Sequence, residues 1–248
     1  MKLDFGLIGK KLSHSFSRSY FTNKFREEGL AGHYHNFELA DISEFPRLLE
    51  VHDGLRGLNV TLPYKTSIMP FLDSVSDIAE RVGAVNTIWV NNGETTGYNT
   101  DVVGFRDSLM EFYHEDPGGK ALVLGTGGAS KAVVYVLEHF FQFEEVRLAS
   151  RNPSAPHHIS YPELNANGLE EFRLVINATP VGMYPEQGEF PALPYDSLTR
   201  GHHLYDLVYN PTETEFLRRG RAHNSKVMNG MDMLIRQAEA SWRIWNGN

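Results

Sequence analysis

Apolar and polar positions alternate at the start of the chain. Leu3, Phe5 and Leu7–Ile8 predict a strand that ends at Gly9. A polar turn follows from Lys10 to Ser17 and carries His14-Ser15-Phe16-Ser17. The period then lengthens: Tyr20, Phe21 and Phe25 share one side of a helix expected from about Ser19 to Glu28, with Gly29 and Gly32 punctuating its end. His33 to Leu39 alternates again as a strand, and Asp41 or Ser43 caps a second helix through Leu49.

The next stretch, Gly57-Leu-Asn-Val-Thr-Leu-Pro-Tyr-Lys65, is the most informative. Leu58 and Val60 suit a short buried strand beginning near Arg56, with Asn59 and Thr61 facing the other way. Pro63 stops that strand and suits the first turn of a helix running to about Leu72. Lys65 would then occupy the opening turn, where the helix dipole disfavours a cation and loosens the amine's hold on its proton. Such a lysine suits acid/base catalysis near neutral pH. A solvated lysine on an ordinary strand–turn–helix is the alternative, and the shared strand end with Asn59 and Thr61 weighs against it.

Ala84 to Val90 predicts a strand, Asn91-Asn92-Gly93 a tight turn and Thr95 to Tyr98 the return strand. Asn99-Thr100-Asp101 leads into a helix from about Val102 to Tyr113, and Asp116-Pro117-Gly118-Gly119 is the clearest break, placing a domain hinge close by. Ala121 to Leu124 is a buried strand followed at once by Gly125-Thr126-Gly127-Gly128-Ala129-Ser130 and a helix to about Phe141. Strands follow at Val146 to Ser150, Leu174 to Ala178 and His203 to Val208. Strand, glycine-rich turn, helix, strand is the dinucleotide-binding order, although a plain helix N-terminus would use a similar turn. Residues 152–172 are loop-like, with Pro153, Pro156 and Pro162, and any helix there is short, around Ala166 to Phe172. The last helix, about Met231 to Trp245, carries Leu234, Ala238, Ser241, Trp242 and Trp245 on one stripe. Gln237 falls on that stripe and needs either an internal hydrogen bond or a bound polyol. Repeated strand–helix alternation predicts an α/β protein with parallel sheets.

Composition narrows the function. With 23 basic and 31 acidic residues the net charge is -8, which argues against a nucleic-acid groove. Cysteine is absent, which removes disulfides, thiolate metal sites and a catalytic thiol. His157-His158 and His202-His203 are adjacent pairs without ligand spacing, so no metal is expected. The N-terminus does not read as a signal peptide, and no stretch has the apolar length of a membrane span, so a cytoplasmic protein without membrane contact is expected.

Taken in order, these motifs resemble the shikimate dehydrogenase family. The resemblance runs through Ser15-Phe16-Ser17, Asn59 to Lys65, Gly83 to Thr87 and Gly97 to Asp101. In the second half it continues through Gly125-x-Gly-Gly-Ala, Asn177-Ala-Thr-Pro-x-Gly-Met183, Tyr205 to Pro211 and Gly230-x-x-Met-Leu-x-x-Gln237. It implies reversible reduction of 3-dehydroshikimate to shikimate with NADPH, within aromatic amino-acid and chorismate biosynthesis. It also implies two α/β domains facing each other across a cleft. Residues 1–101 with 230–248 would bind substrate, and 102–229 would form a Rossmann-type NADP domain. Lys65 would be the proton donor and acceptor, supported by Asp101, although Asp101 also suits a helix cap and both roles are compatible. Ser15 and Ser17 would hold the substrate carboxylate, and Asn59, Thr61, Asn86, Asp101, Tyr209 and Gln237 would meet its other groups. Gly125, Thr126, Gly127, Gly128, Ala129, Ser150, Arg151, Thr179, Met183, Leu207 and Gly230 would bind the cofactor. A monomer or homodimer is expected.

The residues bear on cofactor choice directly. An NAD enzyme would place Asp or Glu at the end of the second Rossmann strand, whereas Ser150-Arg151 stands here and suits a 2′-phosphate. The family's NADP pattern is Asn-Arg-Ser/Thr with a second Arg four residues after the first. Here Ser150, Asn152 and Ala155 depart from it, which predicts NADP preference with weakened discrimination. The competing expectations are a quinate/shikimate dehydrogenase paralogue with relaxed substrate and NAD/NADP use, and a catalytically silent binding protein. The presence of Lys65 and Asp101 weighs against the second.

Overall fold

The computed structural model describes residues 3–12, 15–114 and 119–247. The predicted turn at Lys10 to Ser17 and the break at Asp116 to Gly119 therefore lie partly outside the described residues. The chain divides into a unit of Met1–Thr100 with Ala238–Asn248, and a unit of Asp101–Gln237. The first unit thus ends one residue before position 101 and resumes eight residues after position 230, the bounds that the resemblance implies. No described helix is long and apolar enough to cross a membrane.

The first unit runs β1 (Leu3–Gly9), α1 (Phe16–Glu27), β2 (Gly32–Glu38), α2 (Phe45–Val51), β3 (Leu55–Val60), β4 (Ser74–Val75), α3 (Asp77–Val82), β5 (Thr87–Asn91) and β6 (Glu94–Tyr98). Its sheet has the order β2-β1-β3-β5-β6-β4. It is mixed, not wholly parallel: β1 is parallel to β2 and β3, but β5 is antiparallel to both β3 and β6. The tight Asn92-Gly93 turn forces the reversal between β5 and β6. Both faces are covered. Phe5 and Leu7 pack with Phe21, Phe25, Tyr34, Trp242 and Trp245 on one side. Ile8 points the other way and joins Phe45, Leu58, Ile68, Val85 and Ile88.

Helix α1 begins at Phe16, not Ser19, because Ser15 caps it by accepting the Arg18 N–H at 3.2 Å. The helix expected from Tyr64 to Leu72 does not form. Residues 62–68 are turns, the Leu62–Pro63 bond is cis, and only a 3-10 turn appears, at Met69–Phe71. The Lys65 carbonyl, which an α-helix would direct to residue 69, instead accepts the Val85 N–H at 2.7 Å. Pro70 has no N–H to continue the ladder. Helix α3, capped by Ser76, was not anticipated from the sequence.

The second unit runs α4 (Asp101–Phe112), β7 (Lys120–Leu124), α5 (Gly128–His139), β8 (Glu145–Ser150), β9 (His158–Ser160), α6 (Tyr161–Asn167), β10 (Phe172–Asn177), β11 (His203–Asp206), α7 (Glu215–Ala222), β12 (Lys226–Met228) and α8 (Met231–Trp245), the end of α8 returning to the first unit. Every strand pair is parallel, in the order β12-β11-β10-β7-β8-β9. That is the doubly wound order of dinucleotide-binding sheets, with its reversal between β7 and β10. The helix expected around Ala166 to Phe172 lies earlier, at Tyr161–Asn167, and Phe172 opens β10. Ser160 and Glu163 form a reciprocal capping box, and Pro162 sits in the first turn where its missing N–H costs nothing. Helix α7 and strand β12 were also not anticipated.

Candidate active site

Strand β3 delivers Asn59 into a buried polar network within the first unit. Tyr34 Oη donates to Asn59 Oδ1 at 2.7 Å, and Asn59 Nδ2 donates to Asn86 O, Thr87 Oγ1 and Ser241 Oγ at 3.3, 3.2 and 3.0 Å. Asn86 donates from Nδ2 to Thr100 Oγ1 at 2.9 Å and accepts the Thr100 N–H at 2.7 Å. Burial raises the Tyr34 phenol well above its ordinary pKa, opposed by a hydrogen bond with Ser17. Ser17, Asn59 and Asn86 are therefore linked through Tyr34, Thr87, Thr100 and Ser241. In a low-dielectric interior such a network is rigid because each unmade bond is costly.

Lys65 is half-buried between Tyr64 and Ile68, both buried. Tyr64 Oη donates to the Leu39 carbonyl at 2.6 Å, so the turn is anchored on each side of the lysine. Lys65 lies in a turn and not in the opening turn of a helix, so the dipole of a helix begun by Pro63 does not act on it. What presents the ammonium is the turn itself, at the carboxyl end of central strand β3. Thr61, half-buried, starts the turn and donates its N–H to Ile8 O at 2.9 Å.

Asp101 is buried at the start of α4, a position that combines a first-turn acid with a short reach from the Asn99-Thr100 segment. Gln237 on α8 is buried, and its Nε2 donates to Leu234 O at 2.9 Å, one of the two fates the sequence left open. Tyr209 is half-buried, and burial raises its pKa.

In the second unit the glycine-rich turn lies at the carboxyl end of β7. Gly125 has φ +101°, and a Cβ there would stand 2.9 Å from Thr179 Cγ2, so a side chain is excluded twice. Thr126 and Gly127 are exposed, while Gly128 and Ala129 open α5. Thr179 donates from its N–H and Oγ to Asn177 Oδ1 at 3.1 and 2.6 Å. Asn177 Nδ2 in turn donates to Asp206 Oδ1 at 2.9 Å, and Thr214 Oγ1 donates to Asp206 Oδ2 at 2.5 Å. Burial raises the Asp206 carboxyl to about 6 against these hydrogen bonds. Ser150 closes β8 and accepts the Asn152 N–H at 3.1 Å, with Arg151 exposed beside it. Met183 is exposed, and a Cβ on Gly230 would stand 2.2 Å from Leu207 O, so those two backbones meet directly. No acidic side chain ends β8, and the bare glycine cradle fits a diphosphate group. A surface hollow of about 230 Å³, lined by Asp4, His35, His52 and Asp53, opens at the amino ends of β1 and β3. It is at the wrong end of the strands for ligand binding in an open α/β sheet.

The profile of the shikimate dehydrogenase substrate binding domain matches residues 7–88. Shikimate dehydrogenase (NADP(+)) of Caldanaerobacter subterraneus subsp. tengcongensis is 37% identical, the match covering 100% of this chain and 94% of that protein. The chain belongs to the shikimate dehydrogenase family. Shikimate dehydrogenase 1 from Peptoclostridium difficile superposes with a TM-score of 0.89 at 38% identity, covering 99% of this chain and 92% of that one. The Thermus thermophilus shikimate 5-dehydrogenase, solved in complex with NADP(H) and shikimate, superposes with a TM-score of 0.84 at 34% identity, over 99% and 94% of the two chains.

Within this shikimate dehydrogenase family member, Asn59 to Lys65 run off the carboxyl end of β3, and Gly125 to Ala129 follow the carboxyl end of β7. The supporting residues Tyr34, Thr87, Thr100, Ser241, Asp206 and Thr214 were not singled out as site residues from the sequence. Asn86-Thr87 and Thr100-Asp101 lie inside motifs that carry the family resemblance, which hinted at their proximity. Ser241 stood on the inward stripe of the last helix, but nothing local pointed it or Tyr34 to Asn59, because only the folded sheet brings them there.

Proposed function

We propose that this chain is a shikimate dehydrogenase that reversibly reduces 3-dehydroshikimate to shikimate with NADPH. The observation that carries this is positional. In a chain matching the family along its whole length, Asn59-to-Lys65 follows central strand β3 and Gly125-to-Ala129 follows central strand β7. Carboxyl ends of central strands are where open α/β sheets bind ligands.

Ser15, Ser17, Thr61 and Asn86 of the first unit bind the substrate. Ser15 Oγ uses a lone pair on the Arg18 N–H and keeps its proton to donate to the substrate carboxylate, beside Ser17 and the positive end of α1. Thr61, Asn86, Asp101, Tyr209 and Gln237 supply polar contacts to the ring substituents. Asn59 holds the strand end in place instead of meeting substrate, because Tyr34, Asn86, Thr87 and Ser241 occupy its amide.

The bound NADPH supplies the hydride for the reduction. Lys65 donates a proton to the carbonyl oxygen that becomes the hydroxyl, and removes it in the reverse direction. Asp101 supports the lysine electrostatically. In the second unit Gly125, Thr126, Gly127, Gly128 and Ala129 hold the diphosphate, and Ser150 with Arg151 receives the 2′-phosphate. Thr179, Met183, Leu207 and Gly230 bound the nicotinamide end.

The test is absorbance at the reduced-nicotinamide band with shikimate and NADP⁺, compared with NAD⁺ and with quinate. Turnover of shikimate with NADP⁺ above the other pairs is expected. Equal efficiency with quinate or NAD⁺ would replace this proposal with a relaxed quinate/shikimate dehydrogenase, and no turnover from folded protein would overturn it.

A further inference from the structure

Strand β9 runs beside the end of β8 and brings a second polar side chain to Arg151. The two strands are parallel and in register, with Leu148 beside His158 and Ser150 beside Ser160. Ala149 and Ile159, between those pairs, enter the core on one face of the sheet. Ser160 keeps an extended backbone, with φ -83° and ψ 154°, so Tyr161 falls on the face that Ile159 occupies and packs against the same core. Arg151 follows Ser150 as Tyr161 follows Ser160.

Tyr161 is half-buried, and its hydroxyl has no hydrogen-bond partner among the described residues. It is not one of the fully enclosed unpaired atoms either, so solvent and ligands can reach it. Arg151 lies close enough to act on this phenol: burial raises the Tyr161 pKa, and the charge of Arg151 opposes that rise. Arg151 itself is exposed and makes no ion pair or hydrogen bond among the described residues. No other basic side chain follows in the loop from Asn152 to Pro156. The acid that opens α6, Glu163, turns back onto Ser160, accepting its N–H and Oγ at 2.9 and 2.6 Å. What stays open at this strand end is one cation and one neutral donor, a pair that suits a phosphate better than a ribose hydroxyl.

We propose that Tyr161 is a second ligand of the cofactor's 2′-phosphate, its hydroxyl donating to the phosphate that Arg151 also holds. Tyr161 is thereby a specificity-determining residue for NADP over NAD. This rests on the reading that Arg151 receives the 2′-phosphate.

The test measures binding of adenosine 2′,5′-bisphosphate and of 5′-AMP by isothermal titration calorimetry, in full-length wild type, Tyr161→Phe and Arg151→Ala. The two probes differ only in the 2′-phosphate. Tyr161→Phe is expected to raise the dissociation constant for the bisphosphate about tenfold, the low end for a hydrogen bond to a charged group. Its affinity for AMP should stay as in wild type. Its ligand-free melting temperature should also match wild type, since the hydroxyl has no partner within the protein. Unchanged affinity for the bisphosphate would overturn the proposal. So would an equal loss with both probes, which would make Tyr161 a packing surface for the adenosine. A lowered melting temperature would overturn it as well, because the hydroxyl would then be bonded within the protein. If Arg151→Ala weakens the bisphosphate and Tyr161→Phe does not, the proposal fails and the Arg151 reading stands. If wild type binds both probes alike, both fall.

Discussion

The indole Nε1 of Trp245 donates to the main-chain carbonyl of Ile88 at 2.9 Å, tying the end of α8 to strand β5. The ring can reach that carbonyl only because Gly57 lies beneath it: a Cβ there would stand 2.2 to 2.5 Å from three indole atoms. Gly57→Ala must displace the ring and break the bond. A loss of about 2–4 kcal/mol is expected, combining overpacking with one hydrogen bond, and denaturant unfolding followed by tryptophan fluorescence would measure it.

Lys65→Ala separates chemistry from folding. The main-chain carbonyl at this position accepts the Val85 N–H, and alanine retains that bond. Stability should change by no more than about 0.5 kcal/mol, as for a half-exposed side chain away from a core. The turnover number for shikimate oxidation should fall about a hundred- to ten-thousand-fold, the usual range for a lost proton-transfer group. Activity near wild type from folded protein would remove Lys65 from the mechanism.

Arg151 is exposed at the end of β8, with no acidic neighbour at that strand end to favour a free ribose hydroxyl. Arg151→Ala should lower kcat/KM for NADP⁺ about ten- to a hundredfold, the range for a hydrogen bond to a charged group. The value for NAD⁺ should barely change. An unaltered NADP⁺/NAD⁺ ratio in steady-state kinetics would show that the 2′-phosphate is held elsewhere.

Asp206 makes stability depend on pH in a direction opposite to that of a paired carboxylate. Burial raises its pKa from 3.8 to about 6, so the folded protein keeps this proton at a pH where the unfolded chain has released it. The native state binds more protons between those values, and its stability falls as pH rises through the window. The contribution is on the order of 2–3 kcal/mol, fully present below about pH 4 and lost above about pH 6. Asp206→Asn retains an acceptor for the Val208 N–H and Asn177 but cannot titrate, so its unfolding free energy should lack this slope. A parallel pH profile in the two proteins, measured by urea denaturation, would contradict the assignment.

Sequence pattern was a good guide wherever local physics decides the outcome. The β1 alternation and the apolar run before Gly125 mark strands that the sheets contain, and α8 keeps the helical stripe from Leu234 to Trp245. Local rules misjudged residues 62–72, where Pro63 suggested a helix start. A hydrogen bond from Val85, twenty residues on, takes the carbonyl that a helix would need. They also misjudged residues 158–167, where the Ser160–Glu163 capping box was present but Pro162 was taken as a breaker.

The order of residue types along the chain determined the α/β class, the strand–turn–helix at Gly125 and the family likeness, because each depends on residues close in sequence or on their serial order. Only the tertiary structure decided which partners complete the site. Tyr34 and Ser241 reach Asn59 from positions 25 residues before and 182 residues after it. Asp206 is buried beside Asn177 and Thr214 by the β10–β11 pairing. Hydrogen bonds and desolvation depend on distances of a few ångströms, and those distances exist only once the sheets have formed.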